Sequence, residues 1–165
     1  MHALASLPSM SGLSLQAREL REGYRRKRFT PVQVIDEVLR RITARGEDHV
    51  WTARASHTDL RERACWLAAH ADRIDDYPLF GLPFSVKGNL DVAGMPTTCG
   101  CAAFDRQPSE SATTVARALA AGAILIGKNT LDQFATGLNG TRTMGGHCHN
   151  VFDPRYIPGG SSSGS

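Results

Sequence analysis

The sequence predicts an α/β fold, with helices laid over a sheet of mixed or parallel pairing. Three observations carry that expectation. Amphipathic helical stretches fill the first third, two short apolar runs at residues 81–87 and 123–127 read as buried strands, and a small-residue helix at residues 111–121 separates them. The 165 residues are 41% hydrophobic and 21% charged, a globular composition that excludes disordered, collagen-like and disulfide-scaffold classes.

Taken in order, Leu13, Leu15 and Leu20 sit among charges in a short amphipathic stretch ending near Gly23. Thr30-Pro31-Val32-Gln33 then opens a helix with a capping Thr, Pro at the first helical position and Gln three residues after the cap. Val34, Ile35, Val38, Leu39 and Ile42 recur on one face, and Gly46 supplies the stop. A strand at residues 50–53 precedes a helix at about 59–71, whose stripe is Leu60, Ala64, Leu67 and Ala68. After Tyr77-Pro78, a turn feeds an apolar strand that closes on Lys87, and residues 89–98 read as a hairpin around Ala93-Gly94. The strand at 123–127 leads into residues 129–135, read as the start of another helix, with Asp132 as a favourable charge on its dipole.

Lys+Arg 19 against Asp+Glu 16 gives a net charge of +3, which points to no nucleic-acid partner. The cluster Arg25-Arg26-Lys27-Arg28 reads as a solvated loop before a helix. Residues 1–14 have neither a basic start nor an apolar run, and no later stretch nears the ~18 apolar residues of a membrane span. A cytoplasmic protein without a membrane partner is expected, with Cys65, Cys99, Cys101 and Cys148 as reduced thiols. Trp51 and Trp66 read as core or interface aromatics.

Two features carry chemistry. Desolvation disfavours a charged amine, so Lys87 at a strand end either reaches out to solvent or stays neutral as a general base. A neutral amine can take a proton from a serine hydroxyl, which is a poor nucleophile unaided. The run Gly159-Gly160-Ser161-Ser162-Ser163-Gly164-Ser165 is either a flexible tail or a close-packed turn whose hydroxyls relay a proton and whose amides bind an anion. It lacks the Gly-Lys-Ser/Thr ending of a phosphate-cradling loop. A reading of another class, a small zinc-binding module, draws on Cys99, Cys101, His147 and His149, with Cys148 between the histidines. The one-residue gap in Cys99-x-Cys101 is tighter than the usual two to four.

The order Gly81-Leu82-Pro83-Phe84-Ser85-Val86-Lys87-Gly88-Asn89, then Pro96-Thr97-Thr98, then Ala121-Gly122-Ala123-Ile124-Leu125-Ile126-Gly127-Lys128, then Pro158-Gly159-Gly160-Ser161-Ser162-Ser163-Gly164-Ser165 resembles the amidase signature family. Within it, residues 129–142 and the triple serine look most like the allophanate hydrolases. Other amidases of the family, and the A-type component of the tRNA-dependent amidotransferases, are the alternative. The resemblance covers residues 81–165 closely and implies the N-terminal part of the amidase signature fold, a mixed β-sheet covered by helices, here truncated. One partial domain is expected, with a helical region at about 11–75 and the signature α/β part at about 77–165.

The same resemblance implies a Ser–cis-Ser–Lys triad. Lys87 matches its lysine, and Ser161 matches the relaying serine whose preceding peptide is cis. That peptide is expected to relax to trans in so short a piece. The nucleophilic serine and the oxyanion-hole amides are expected beyond Ser165, so residues 1–165 alone are expected to be inactive. The implied reaction is amide hydrolysis without metal or cofactor, on a small-molecule substrate such as allophanate. A homodimer and a functional link to a biotin-dependent urea carboxylase are implied for the intact enzyme. The strands at residues 84–86 and 123–126 are expected to leave apolar surface uncovered, making the piece poorly soluble.

Overall fold

The computed structural model describes Met10 and residues 12–165, so the reading of residues 1–14 as leaderless falls largely outside it. Helix α1 (Ala17–Arg25) buries Leu20 and Tyr24, then the chain turns through the exposed Arg26, Lys27 and Arg28. Helix α2 (Pro31–Arg45) starts as the sequence predicts: Thr30 Oγ1 accepts from the Gln33 N–H at 3.3 Å, and Gln33 Oε1 accepts from the Thr30 N–H at 2.9 Å. This reciprocal pairing satisfies two amides that the helix itself leaves orphaned. Strand β1 (Trp51–Arg54) follows, then α3 (His57–Ala69), which begins two residues before the expected start because the Ser56 hydroxyl caps the Asp59 N–H at 3.0 Å. Strand β2 (Pro83–Lys87), helix α4 (Thr113–Ala120) and strand β3 (Ile124–Asn129) complete the α-helices and β-strands among the described residues.

The sheet order is β1-β3-β2, with β2 parallel and β1 antiparallel to β3. The α/β class with mixed pairing is therefore as the sequence predicts. Strand β3 is central, and its side chains alternate between two cores. Ile124 and Ile126 pack with Leu20, Val34, Ile35, Leu60, Leu67 and Phe80 beneath α1–α3, while Leu125 packs with Val86, Val92 and Val115 on the α4 side. No described helix is long and apolar enough to cross a membrane.

Several expectations are corrected. The strand at 123–126 is covered, because a central strand packed on both faces has no free surface. Ala123 to Ile126 are 7% exposed or less, and the most exposed apolar side chains are instead Leu138, Val151, Phe152, Tyr156 and Ile157 in the loops that follow. The hairpin at 89–98 is a loop. The turn at Ala93-Gly94 is present, closed by the Met95 N–H on the Val92 carbonyl at 3.0 Å, but no strands flank it: Thr97 bridges Arg106 and Gly94 donates to the Pro108 carbonyl. The helix expected at 129–135 is absent too. Strand β3 runs to Asn129, and only a short 3-10 turn, Gln133–Ala135, follows, with Phe134 and Ala135 in the left-handed region. Trp51 packs at the edge of the core, but Trp66 is 40% exposed and stacks on the His70 ring at 4.2 Å.

Candidate active site

Two neighbouring strands each close on a lysine near the same end, Lys87 on β2 and Lys128 just before the end of β3. Their register differs by one residue, since Val86 lies beside Lys128 and Lys87 beside Asn129. Side chains alternate faces along a strand, so the two amines leave the sheet on opposite sides. Lys128 is fully buried, and its Nζ donates to the Pro96 carbonyl at 2.8 Å and Thr97 Oγ1 at 2.6 Å. Burial pushes its amine below the ordinary lysine range. Lys128 thus pins the loop after β2 and is not free to react.

Lys87 is half-buried on the other face, where its Nζ lies 2.6 Å from Ser161 Oγ. The peptide Gly160–Ser161 is cis, not trans as expected for this length of chain. The Gly/Ser run is no loose tail. The Ser161 carbonyl accepts from the Asp132 N–H at 3.0 Å, and the Gly164 N–H donates to the Thr130 carbonyl at 3.0 Å. The run is laid against the segment that leaves β3, and glycine is needed at the closest contacts. A Cβ on Gly160 would stand 2.2 Å from Asp132 Oδ2, and one on Gly164 would stand 2.7 Å from the Val50 carbonyl. Ser162 and Ser165 are exposed. Ser163 is buried, its hydroxyl without a hydrogen-bond partner among the described residues, beside a cavity of about 270 Å³ that Cys148 and His149 also line.

The zinc-module reading is not supported. Among the described residues no three His, Cys, Asp or Glu side chains are grouped to hold a metal ion. The Cys148 thiol turns inward towards the His49 carbonyl at 3.6 Å, and burial pushes its pKa up. Cys99 and Cys101 flank a turn whose Cys99 carbonyl is taken by the Phe134 N–H.

Asp132 is the neighbour of Ser161 whose surroundings sequence reasoning misjudged. It heads only the short 3-10 turn, without capping it through its side chain; it is fully buried, with Oδ2 accepting from the Gly140 N–H at 3.0 Å and Oδ1 from the Arg142 N–H at 2.9 Å. The sequence signal available was a run of glycines around it (Gly137, Gly140, Gly160), which marks close backbone approach. Lys128 offered the same signal as Lys87, a lysine closing an apolar strand, and only register separates them.

A hydroxyl in contact with an amine at the end of a strand can pass a proton between that amine and a third group on its far side. The amidase family pattern matches residues 33–165. Urea amidolyase of Lachancea kluyveri is 44% identical over 119 residues, 72% of this chain and 6% of its own length. The A-type component of the glutamyl-tRNA(Gln) amidotransferase of Chlorobaculum parvum is 36% identical over 149 residues, 89% of this chain and 31% of its own length. The structure of Kluyveromyces lactis allophanate hydrolase superposes with a TM-score of 0.77 at 36% identity, covering 93% of this chain and 25% of that one. This chain therefore spans a third or less of each of these relatives. With a strand-end lysine on a glycine-bound serine, a family pattern that runs over four-fifths of its length, and relatives of the same kind, this chain belongs to the amidase family.

Proposed function

We propose that residues 1–165 form one partial amidase domain that supplies the base and the proton relay of a serine amidohydrolase, acting on allophanate. The carrying observation is the 2.6 Å contact between Lys87 Nζ and Ser161 Oγ. In this reading Lys87 is the general base in its neutral form, and Ser161 hands it the proton of a nucleophilic serine supplied outside these residues. That serine attacks the terminal amide carbonyl, the C–N bond breaks, and the proton held by Lys87 returns through Ser161 to the leaving ammonia. Water then resolves the acyl-enzyme, its proton following the same route. The likeness to allophanate hydrolase supports allophanate as substrate, and the likeness to urea amidolyases supports a urea carboxylase as functional partner. The likeness to the glutamyl-tRNA(Gln) amidotransferases supports the second reading, an amidotransferase component of the A type.

The test is a chimera in which residues 1–165 replace the matched segment of Kluyveromyces lactis allophanate hydrolase, beside residues 1–165 alone. The chimera is expected to release ammonia from allophanate and the short chain to release none above background. Lys87→Ala is expected to lower kcat by about 10³-fold or more, because base, relay and nucleophile act as a unit. A Lys87→Ala chimera within tenfold of its parent would overturn the assignment. A folded chimera that releases no ammonia from allophanate would overturn the choice of substrate and favour the amidotransferase reading.

A further inference from the structure

Ser161 can serve Lys87 only if its hydroxyl stays at one place over the strand end, yet Lys87 is a long, rotatable partner that fixes no position by itself. What holds Ser161 lies on its other side. Asp132 is fully buried and belongs to none of the ion pairs among the described residues. A carboxylate removed from water without a cation is costly unless its oxygens are hydrogen-bonded. Both are: Gly140 N–H and Arg142 N–H each supply one bond, so the side chain closes the loop 132–142 on itself. The Asp132 main chain carries the remaining ties. Its carbonyl accepts from the Ala135 N–H at 2.8 Å, and its N–H donates to the Ser161 carbonyl at 3.0 Å.

The space around the carboxylate is as constrained as its bonds. A Cβ on Gly137 would lie 2.3 Å from Asp132 Cγ, and one on Gly160 would lie 2.2 Å from Oδ2. Gly140 is seated in the same way against the Gly159 carbonyl, at 2.4 Å from its would-be Cβ. Gly137 and Gly140 on the 132–142 loop and Gly160 on the Gly/Ser run therefore bring two backbone segments together at one carboxyl group, and the second of them carries Ser161.

We infer that Asp132 is a positioning residue for the amidase reaction: its buried carboxylate locks the 132–142 loop, and the locked loop holds Ser161 within reach of Lys87. This rests on the base-and-relay reading proposed above. Asp132 touches neither substrate nor Lys87 and acts through Ser161 alone. Asp132→Asn keeps the size of the side chain but sets an amide N–H₂ against one of the two backbone N–H donors, so one bond is lost and two donors meet.

The experiment is a double-mutant cycle in the chimera with Kluyveromyces lactis allophanate hydrolase. Asp132→Asn is expected to lower kcat by about 10- to 100-fold with KM within twofold, since misplacement by fractions of an ångström is felt in the chemical step rather than in binding. In a Ser161→Ala background, assayed at raised enzyme concentration, the same substitution is expected to change kcat by less than twofold, because the group it positions is gone. Gly137→Ala, which presses on the carboxylate without altering its charge, is expected to follow the same pattern and carries the test if Asp132→Asn does not fold. An unchanged kcat overturns the inference. So does an effect that multiplies fully with Ser161→Ala, which marks a general structural role. If Lys87→Ala abolishes activity while Asp132→Asn does not lower it, this inference falls and the base-and-relay reading stands; if Lys87→Ala leaves activity intact, both fall.

Discussion

Replacing Tyr24 by phenylalanine removes one oxygen from the core under the turn that launches β2. The ring keeps its edge-on contacts with Phe29 and Phe80, at centroid distances of 5.3 and 5.5 Å. What is lost is the hydrogen bond from Tyr24 Oη to the buried Gly81 carbonyl, 2.9 Å long. A net hydrogen bond is worth about 0.5–1.5 kcal/mol and an orphaned buried acceptor costs about 1–3, so a loss of about 1.5 kcal/mol is expected at pH 7. The same burial pushes the phenol well above its ordinary pKa of 10.0. Above that pH the unfolded chain gives up its proton while the folded one keeps it, so the contribution is complete below pH 10 and is lost as pH rises. At pH 11 the loss amounts to about 1.4 kcal/mol. Tyr24→Phe has no such proton, so its deficit against the parent is expected to shrink from about 1.5 kcal/mol at pH 7 to near zero at pH 11. Urea unfolding followed by far-ultraviolet circular dichroism, on both proteins at both pH values, measures this. A deficit that stays constant to within about 0.3 kcal/mol, or grows, would refute the argument that the phenol is held protonated by the fold.

Three further outcomes are expected. Glu37, 4% exposed on α2, has its carboxyl held down at about 2 by hydrogen bonds from Arg40 and Arg41, against an ordinary value of 4.5. Its contribution is therefore complete above pH 4.5 and lost as pH falls towards 2, and Glu37→Gln should flatten that acid slope. Because the Arg40 side chain is exposed and that of Arg41 only half-buried, solvent screens both pairs and the difference read between pH 7 and pH 3 is about 1 kcal/mol. Gly127→Ala places a methyl 2.4 Å from the Ala53 carbonyl on the neighbouring strand, which cannot give way, and a loss of about 1–3 kcal/mol is expected by denaturant titration. Lys128→Met should cost about 2 kcal/mol by leaving Pro96 O and Thr97 Oγ1 without their donor, and amide exchange should rise at residues 94–97 and 106–108.

The features legible in the sequence are those whose causes lie within a few residues. The capping box of α2 is written in Thr30, Pro31 and Gln33, and its buried face in the spacing of Val34, Ile35 and Val38. Strands β2 and β3 show as apolar runs between glycines, and Lys87 and Ser161 show as a strand-end lysine and a serine flanked by glycines. The boundaries slip by about two residues where a neighbour outside the element decides them, as Ser56 does for α3. Glu37 is invisible to such reasoning, since a glutamate among helix positions reads as solvent-facing until two arginines one turn on fold over it.

The site itself divides in the same way. Sequence alone determined which residue types could carry amide chemistry and in what order they occur along the chain. Which lysine faces the serine was decided by strand register, because one residue of offset between β2 and β3 sends Lys87 to one face and Lys128 to the other. Whether the Gly/Ser run is a loose tail or is packed against the segment after β3 was decided by backbone contacts spanning about 30 positions, from Asp132 to Ser161 and from Thr130 to Gly164. Such contacts leave no periodic mark, because they join main-chain atoms that every residue possesses. Only the glycines that permit their approach, and the buried carboxylate that draws Gly140 and Arg142 together, reveal them once the chain has folded.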